Sequence, residues 1–132
     1  VERIEECLLH DALGALFEFV NAANRFVDAE QPWVLAKAAK AGDEAAGARL
    51  RDVLGDLVEA CRLVGLAAAP FLPNTAPRLL AQLGHGYAYA ADGNGGPAIL
   101  GELGWGAHAG TPGTLTAPEP LFPRLDVESG AD

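Results

Sequence analysis

Pro32 stands between a long apolar stripe and a tryptophan, and it limits how the first part of this chain can fold. Leu9, Leu13, Leu16, Val20, Ala23 and Val27 recur at steps of four and three, which lines one face of a helix over about Glu2 to Asp28. Phe17, Phe19 and Phe26 widen that face, so the helix is expected to touch more than one neighbour. Asp11, Glu18, Asn21 and Arg25 lie off it. Proline disfavours helix at the residue before it and suits the first position of a new one. The spacing therefore predicts a break at Gln31 and a short second helix over Trp33 to Lys40, with Trp33 on its opening turn.

Ala41-Gly42-Asp43 is a second break, and Asp43 is placed to cap a third helix from about Glu44 to Ala69. Leu50, Leu54, Leu57, Cys61, Val64 and Ala68 are its expected inward stripe, broadened by Val53, Val58 and Leu66. Pro70 and Pro73 interrupt the helical run. Asn74 or Thr75 can start a last helix to about Leu83, with Leu79, Leu80 and Leu83 inward and Gly84 ending it. These elements predict an all-α, antiparallel helical bundle over residues 1–83. Residues 84–132 are rich in glycine and proline. There Gly93 to Gly96 reads as a flexible tip, and the end of the chain as an irregular C-terminal tail. That tail is expected to lie over the bundle, anchored by Trp105, Leu121 and Phe122.

The chain has 132 residues, half of them hydrophobic, which is enough for one domain with a real core. Its net charge is −9. Residues 1–69 hold 7 basic and 12 acidic side chains, and residues 70–132 hold 2 and 6, so neither part is a basic patch. Such a balance opposes phosphate, because nucleic-acid affinity rests on Lys and Arg releasing counterions. Cys7 and Cys61 lie among apolar residues at helical spacing and are expected to be two buried thiols rather than a bridge. No signal peptide opens the chain and no apolar run spans a membrane, so a cytoplasmic setting is expected, with no membrane partner. The lack of any methionine reads as a processed or excised piece.

Signs of catalysis are missing from the sequence. His10, His85 and His108 have no metal-ligand spacing, so no metal site is expected. Gly93-Asn94-Gly95-Gly96 lacks the lysine and Ser/Thr of a phosphate loop, and the one serine, Ser129, lies near the chain end.

Three segments carry a family resemblance. Asn24 to Trp33, reading NRFVDAEQPW, resembles the N-R-[YF]-[VI]-[DE]-x-x-x-P-W segment of methionyl-tRNA synthetases. LAAAPFLPNTA (Leu66 to Ala76) is similar to their L-x-P-F-[ML]-P-x-T-A run, and TAPEPLFPRLD (Thr116 to Asp126) to their K-P-E-P-L-F-P-R-I ending. The resemblance extends from about Leu9 to Asp126, with a gap over Gly84 to Leu100. It implies the C-terminal anticodon-binding domain of a class I synthetase, of the helical-bundle type, whose partners are the tRNA anticodon stem-loop and a catalytic domain in cis or in trans. The H-I-G-H and K-M-S-K-S signatures of that catalytic domain are absent, so the chain is expected to be inactive alone. It needs no cofactor of its own, and ATP is implied for the full synthetase.

By that resemblance Trp33, with Pro32, stacks on an anticodon base, and Asn24, Arg25 and Asp28 border the site. On the residues alone the alternatives stay open. A large aromatic is more often buried, which would seat Trp33 between the first two helices. Asn24, Arg25 and Asp28 share one helix face; Asn can pair with a base edge and Arg with phosphate. Arg25 and Asp28 can equally form a solvated pair. Lys37 and Lys40 reach toward phosphate or complement the helix dipole. The family's preceding helix, which bears a further asparagine and arginine, is not in this sequence. The rival reading is a free-standing docking or assembly module that has lost RNA binding. Acidity, the missing partner helix and the wide apolar face of the first helix favour it, and the surface left exposed by that missing helix would drive self-association.

Overall fold

A computed structural model describes residues 9–84, 103–106 and 114–122. Among the described residues four helices follow in order: α1 (Leu9–Glu30), α2 (Pro32–Lys40), α3 (Glu44–Ala68) and α4 (Ala76–Gln82). No strand occurs among the described residues, so the expected all-α bundle is the observed fold. The expected first turns of α1, Cys7, His85, His108, Gly93–Gly96 and Ser129 lie outside the described residues.

The helix boundaries follow local chemistry. Pro32 occupies the start of α2, where a missing N–H breaks no helical bond. Asp43 Oδ1 accepts the Ala46 N–H at 2.9 Å, which makes it the side-chain cap of α3. Gly42 adopts φ 99° and Gly84 φ 76°, the left-handed turns that end α2 and α4.

The core is small and centred on α3. Ala46, Val53 and Ala60 are buried at heptad spacing, and Leu66, Ala68, Ala69, Ala76 and Leu80 extend the seam to α4. The inward stripe is therefore rotated from the expected one: Leu54 is 47% exposed and Cys61 is exposed. Apolar residues surround this helix on most sides, so periodicity alone does not choose a face. Small residues do, because they let the neighbour approach. A Cβ at Gly47 would meet Ala39 Cβ of α2 at 3.6 Å, ordinary contact.

Gly65 makes the closest approach. A Cβ there would lie 2.9 Å from Leu80 Cδ2 and 3.1 Å from Cγ, and Leu80 is 2% exposed and has little room to move. Gly65→Val is expected to destabilise the bundle by about 1–3 kcal/mol through overpacking. Gly55 has no atom within 4 Å of its would-be Cβ. Gly55→Ala is therefore expected to stabilise by about 0.5–1 kcal/mol through helix propensity alone. Urea unfolding midpoints of the two variants should move in opposite directions.

The expected buried thiol at Cys61 is corrected: the residue is exposed. Neighbouring atoms still withdraw enough water from its sulfur to push the thiol up from its usual 9.0. The folded chain thus holds this proton more tightly than the unfolded chain. As pH rises past 9.0 the unfolded chain releases it first, so stability is lost in that direction. As pH rises past 9.0 the wild type should lose more stability than Cys61→Ser, whose hydroxyl does not titrate.

The described tail segments, 103–106 and 114–122, lie against the bundle, and of the three expected anchors Leu121 alone is part-buried. Trp105 is 58% exposed and Phe122 70% exposed, while Leu121 is half-buried. Polar groups hold the tail instead. Arg62, 0% exposed, forms a two-point pair with Glu59, its Nε 2.8 Å from Oε2 and its Nη2 2.7 Å from Oε1. The same guanidinium donates to the Gly104 carbonyl at 3.0 Å, and Glu59 Oε1 accepts the Gly106 N–H at 2.7 Å. One buried ion pair thereby pins the turn 103–106 to α3. Glu59-x-x-Arg62 does leave a sequence signal, since it stands inside the apolar run from Leu57 to Val64.

Candidate nucleic-acid interface

The junction between α1 and α2 is a single residue. Gln31 sits in the left-handed region at φ 45°, ψ 61°, among the described residues the one non-glycine with positive φ. Its N–H donates to the Val27 carbonyl at 2.9 Å and closes α1. Its carbonyl accepts Val34 N–H at 2.8 Å and Leu35 N–H at 3.3 Å and opens α2. One residue thus terminates both helices. Backbone strain of this kind costs about 1–3 kcal/mol and persists where the surroundings over-determine it.

An ion pair lies beside the junction. Arg49 of α3 grips Glu30, the last residue of α1, at two points: Nε to Oε2 at 3.0 Å and Nη2 to Oε1 at 2.5 Å. The carboxylate holds the Arg49 guanidinium above its usual value, through the hydrogen bond first and charge second. Sequence reading missed this pair, because 19 positions separate the partners and no local spacing marks them. Its effect on the junction is to neutralise the acidic residue nearest Pro32.

Trp33 follows Pro32 and is 57% exposed. More than half of its surface lies outside any groove between α1 and α2. Pro32 is half-buried. Lys37 and Lys40 are exposed, and spacings of four and three put them on the same face of α2 as Trp33. Asn24, Arg25 and Asp28 are exposed on α1, and among the described residues no side-chain hydrogen bond or ion pair engages them. The positive end of the α2 dipole also falls at Pro32 and Trp33, a position that favours negative charge.

The arrangement offers a flat aromatic face, two lysines along its helix, and an amide, a guanidinium and a carboxylate on the helix before it. No helix among the described residues is long and apolar enough to cross a membrane.

The chain is similar to curated methionine–tRNA ligases. It is 37% identical over 83 residues to that of Caldanaerobacter subterraneus subsp. tengcongensis, covering 63% of this chain and 12% of the relative. It is 34% identical to that of Clostridium acetobutylicum, covering 96% of this chain and 17% of the relative. The ligase of Brucella suis is 36% identical over 122 residues, 92% of this chain and 20% of the relative. No protein-family model and no solved structure matches the chain. The chain thus spans a fifth or less of each of these relatives' own lengths. Over most of its length it is homologous to a segment of methionine–tRNA ligases.

Proposed function

We propose that this chain is the C-terminal anticodon-binding module of a methionine–tRNA ligase, or is derived from one, and serves tRNA aminoacylation in the cytoplasm. The observation that carries this reading is the 57% exposure of Trp33 on a turn fixed by Pro32 and Gln31, within a segment shared with ligases. Bases of a single-stranded loop are recognised by stacking on such aromatics. Trp33 would supply the stacking face and Pro32 its rigid approach. Asn24 would read a base edge, Arg25 would meet phosphate or stack, and Asp28 would orient a basic neighbour. Chemistry would belong to a catalytic domain in cis or in trans, which would bind ATP, activate methionine and transfer it to tRNA.

The charge of −9 is the strongest objection. It weighs less locally. Arg49 occupies Glu30, so from Asn24 to Lys40 Asp28 is the one carboxylate left without an ion pair, against the exposed cations Arg25, Lys37 and Lys40. A docking or assembly module without RNA affinity is the second reading. Leu9 at 53% exposed and Phe17 at 61% favour it, since such residues on α1 suit a partner or a second copy.

A titration with an anticodon stem-loop carrying CAU separates the two. The RNA reading expects saturable binding that weakens as salt rises, and weaker binding still when the anticodon is changed. Binding of CAU and altered loops with equal affinity would reject anticodon recognition. A dimer in sedimentation together with no RNA binding would support the docking reading.

A further inference from the structure

The segment 114–122 meets α4 in an unusual way: every hydrogen bond described between them lands on the segment's main chain. Thr116 N–H donates to the Gln82 carbonyl at 3.0 Å. The Gln82 carboxamide spans Glu119, with Nε2 donating to its carbonyl at 3.0 Å and Oε1 accepting its N–H at 3.3 Å. Arg78 donates to the carbonyls of Pro120 at 3.2 Å and Leu121 at 3.4 Å. A carboxamide that pairs with both the N–H and the C=O of one residue reads the backbone and ignores the side chain.

Little else holds the segment. Residues 114–120 are exposed and Phe122 is 70% exposed, so Leu121 is the one half-buried side chain of the segment. Arg78 and Gln82 stand four residues apart on one face of α4. Ala76 and Leu80, both 2% exposed, also stand four apart but two positions away, on the opposite side of the helix. The clamp and the core thus use different faces of α4, and one can open without the other. Segments with few buried contacts and solvent-exposed hydrogen bonds open well below the global unfolding free energy.

We propose that the Arg78–Gln82 face of α4 is a clamp for an extended polypeptide main chain, and that segment 114–122 is its removable occupant rather than part of the core. The ligand class is an extended peptide recognised through its backbone. The chain's own strap fills the site in cis.

Hydrogen exchange on the full chain tests the removable strap. The Thr116 and Glu119 amides should exchange at least about tenfold faster than those of Val53 and Leu66, at rates insensitive to low urea. Gln82→Ala should speed the Glu119 amide further while the unfolding midpoint stays put. Exchange of the strap at the Val53 rate, or a midpoint lowered by Gln82→Ala, would overturn the proposal. A labelled peptide of residues 114–122 tests the clamp in trans. Glu119→Pro removes the strap's N–H donor and leaves the clamp intact. That variant should bind the peptide about tenfold tighter than wild type, because the cis occupant no longer competes at high effective concentration. Adding Gln82→Ala should abolish this binding. Equal affinity for wild type and Glu119→Pro, or no binding to Glu119→Pro, would refute the clamp.

Discussion

Glu59→Ala is expected to destabilise the bundle by about 3 kcal/mol, the low end of what breaking a buried ion pair costs. The low end applies because the Glu59 side chain keeps 17% of its exposure, while Arg62 keeps none. Alanine removes three bonds together: both Arg62 contacts and the acceptor for Gly106 N–H. It leaves the guanidinium at 0% exposure without this carboxylate, and desolvating a charge costs more than losing an ordinary hydrogen bond. Glu59→Leu with Arg62→Met should cost less than Glu59→Ala alone, since an apolar pair of similar volume leaves no buried charge behind. Urea unfolding of the two variants checks the order. A loss below about 0.5 kcal/mol for Glu59→Ala would mean that the pair does not organise the turn 103–106.

Trp33→Ala is expected to act on binding and not on folding. The residue is 57% exposed on a helix with no buried residue, so its removal should leave unfolding within about 0.5 kcal/mol of wild type. Loss of a stacked base should weaken binding of the CAU stem-loop by about 1–3 kcal/mol. Trp33→Phe should recover part of that loss, because a smaller π-face still stacks. Lys37→Ala should instead flatten the salt dependence of binding, as a phosphate contact does. A drop in stability equal to the drop in binding would mark Trp33 as a packing residue.

Local chemistry explains which features were legible in the sequence. Pro32, the Asp43 cap and Gly84 declare themselves within a turn or two, and the boundaries they imply are those observed. The inward face of α3 was not legible. Leu54 and Val53 are neighbours in sequence, one 47% exposed and the other 0%, and only the approach of α2 and α4 decides between them. Glycine and alanine at positions 46, 47, 60 and 65 carry that decision, and hydrophobic periodicity gives such small residues little weight. Burial of Arg62 and the Gln82 clamp depend on partners 42 and 37 positions away. The tail was expected to be held by Trp105, Leu121 and Phe122; Leu121 is half-buried, but both aromatics face solvent and hydrogen bonds to the tail's main chain hold its described segments. At the candidate site the residue types were legible and their exposure was not. On residue type alone burial was the ordinary expectation for Trp33, whereas the family resemblance implied an exposed stacking face, and the residue is 57% exposed.

Intrinsic fluorescence tests the central claim, that Trp33 is a stacking face for an unpaired base. Trp33 and Trp105 are the chain's two tryptophans, so Trp105→Phe leaves Trp33 as the single indole emitter. Titrating that variant with the CAU stem-loop should quench the emission saturably, along the same isotherm as binding measured by anisotropy of labelled RNA. Binding by anisotropy with unchanged Trp33 emission would contradict the stacking role, and the anticodon reading built on it.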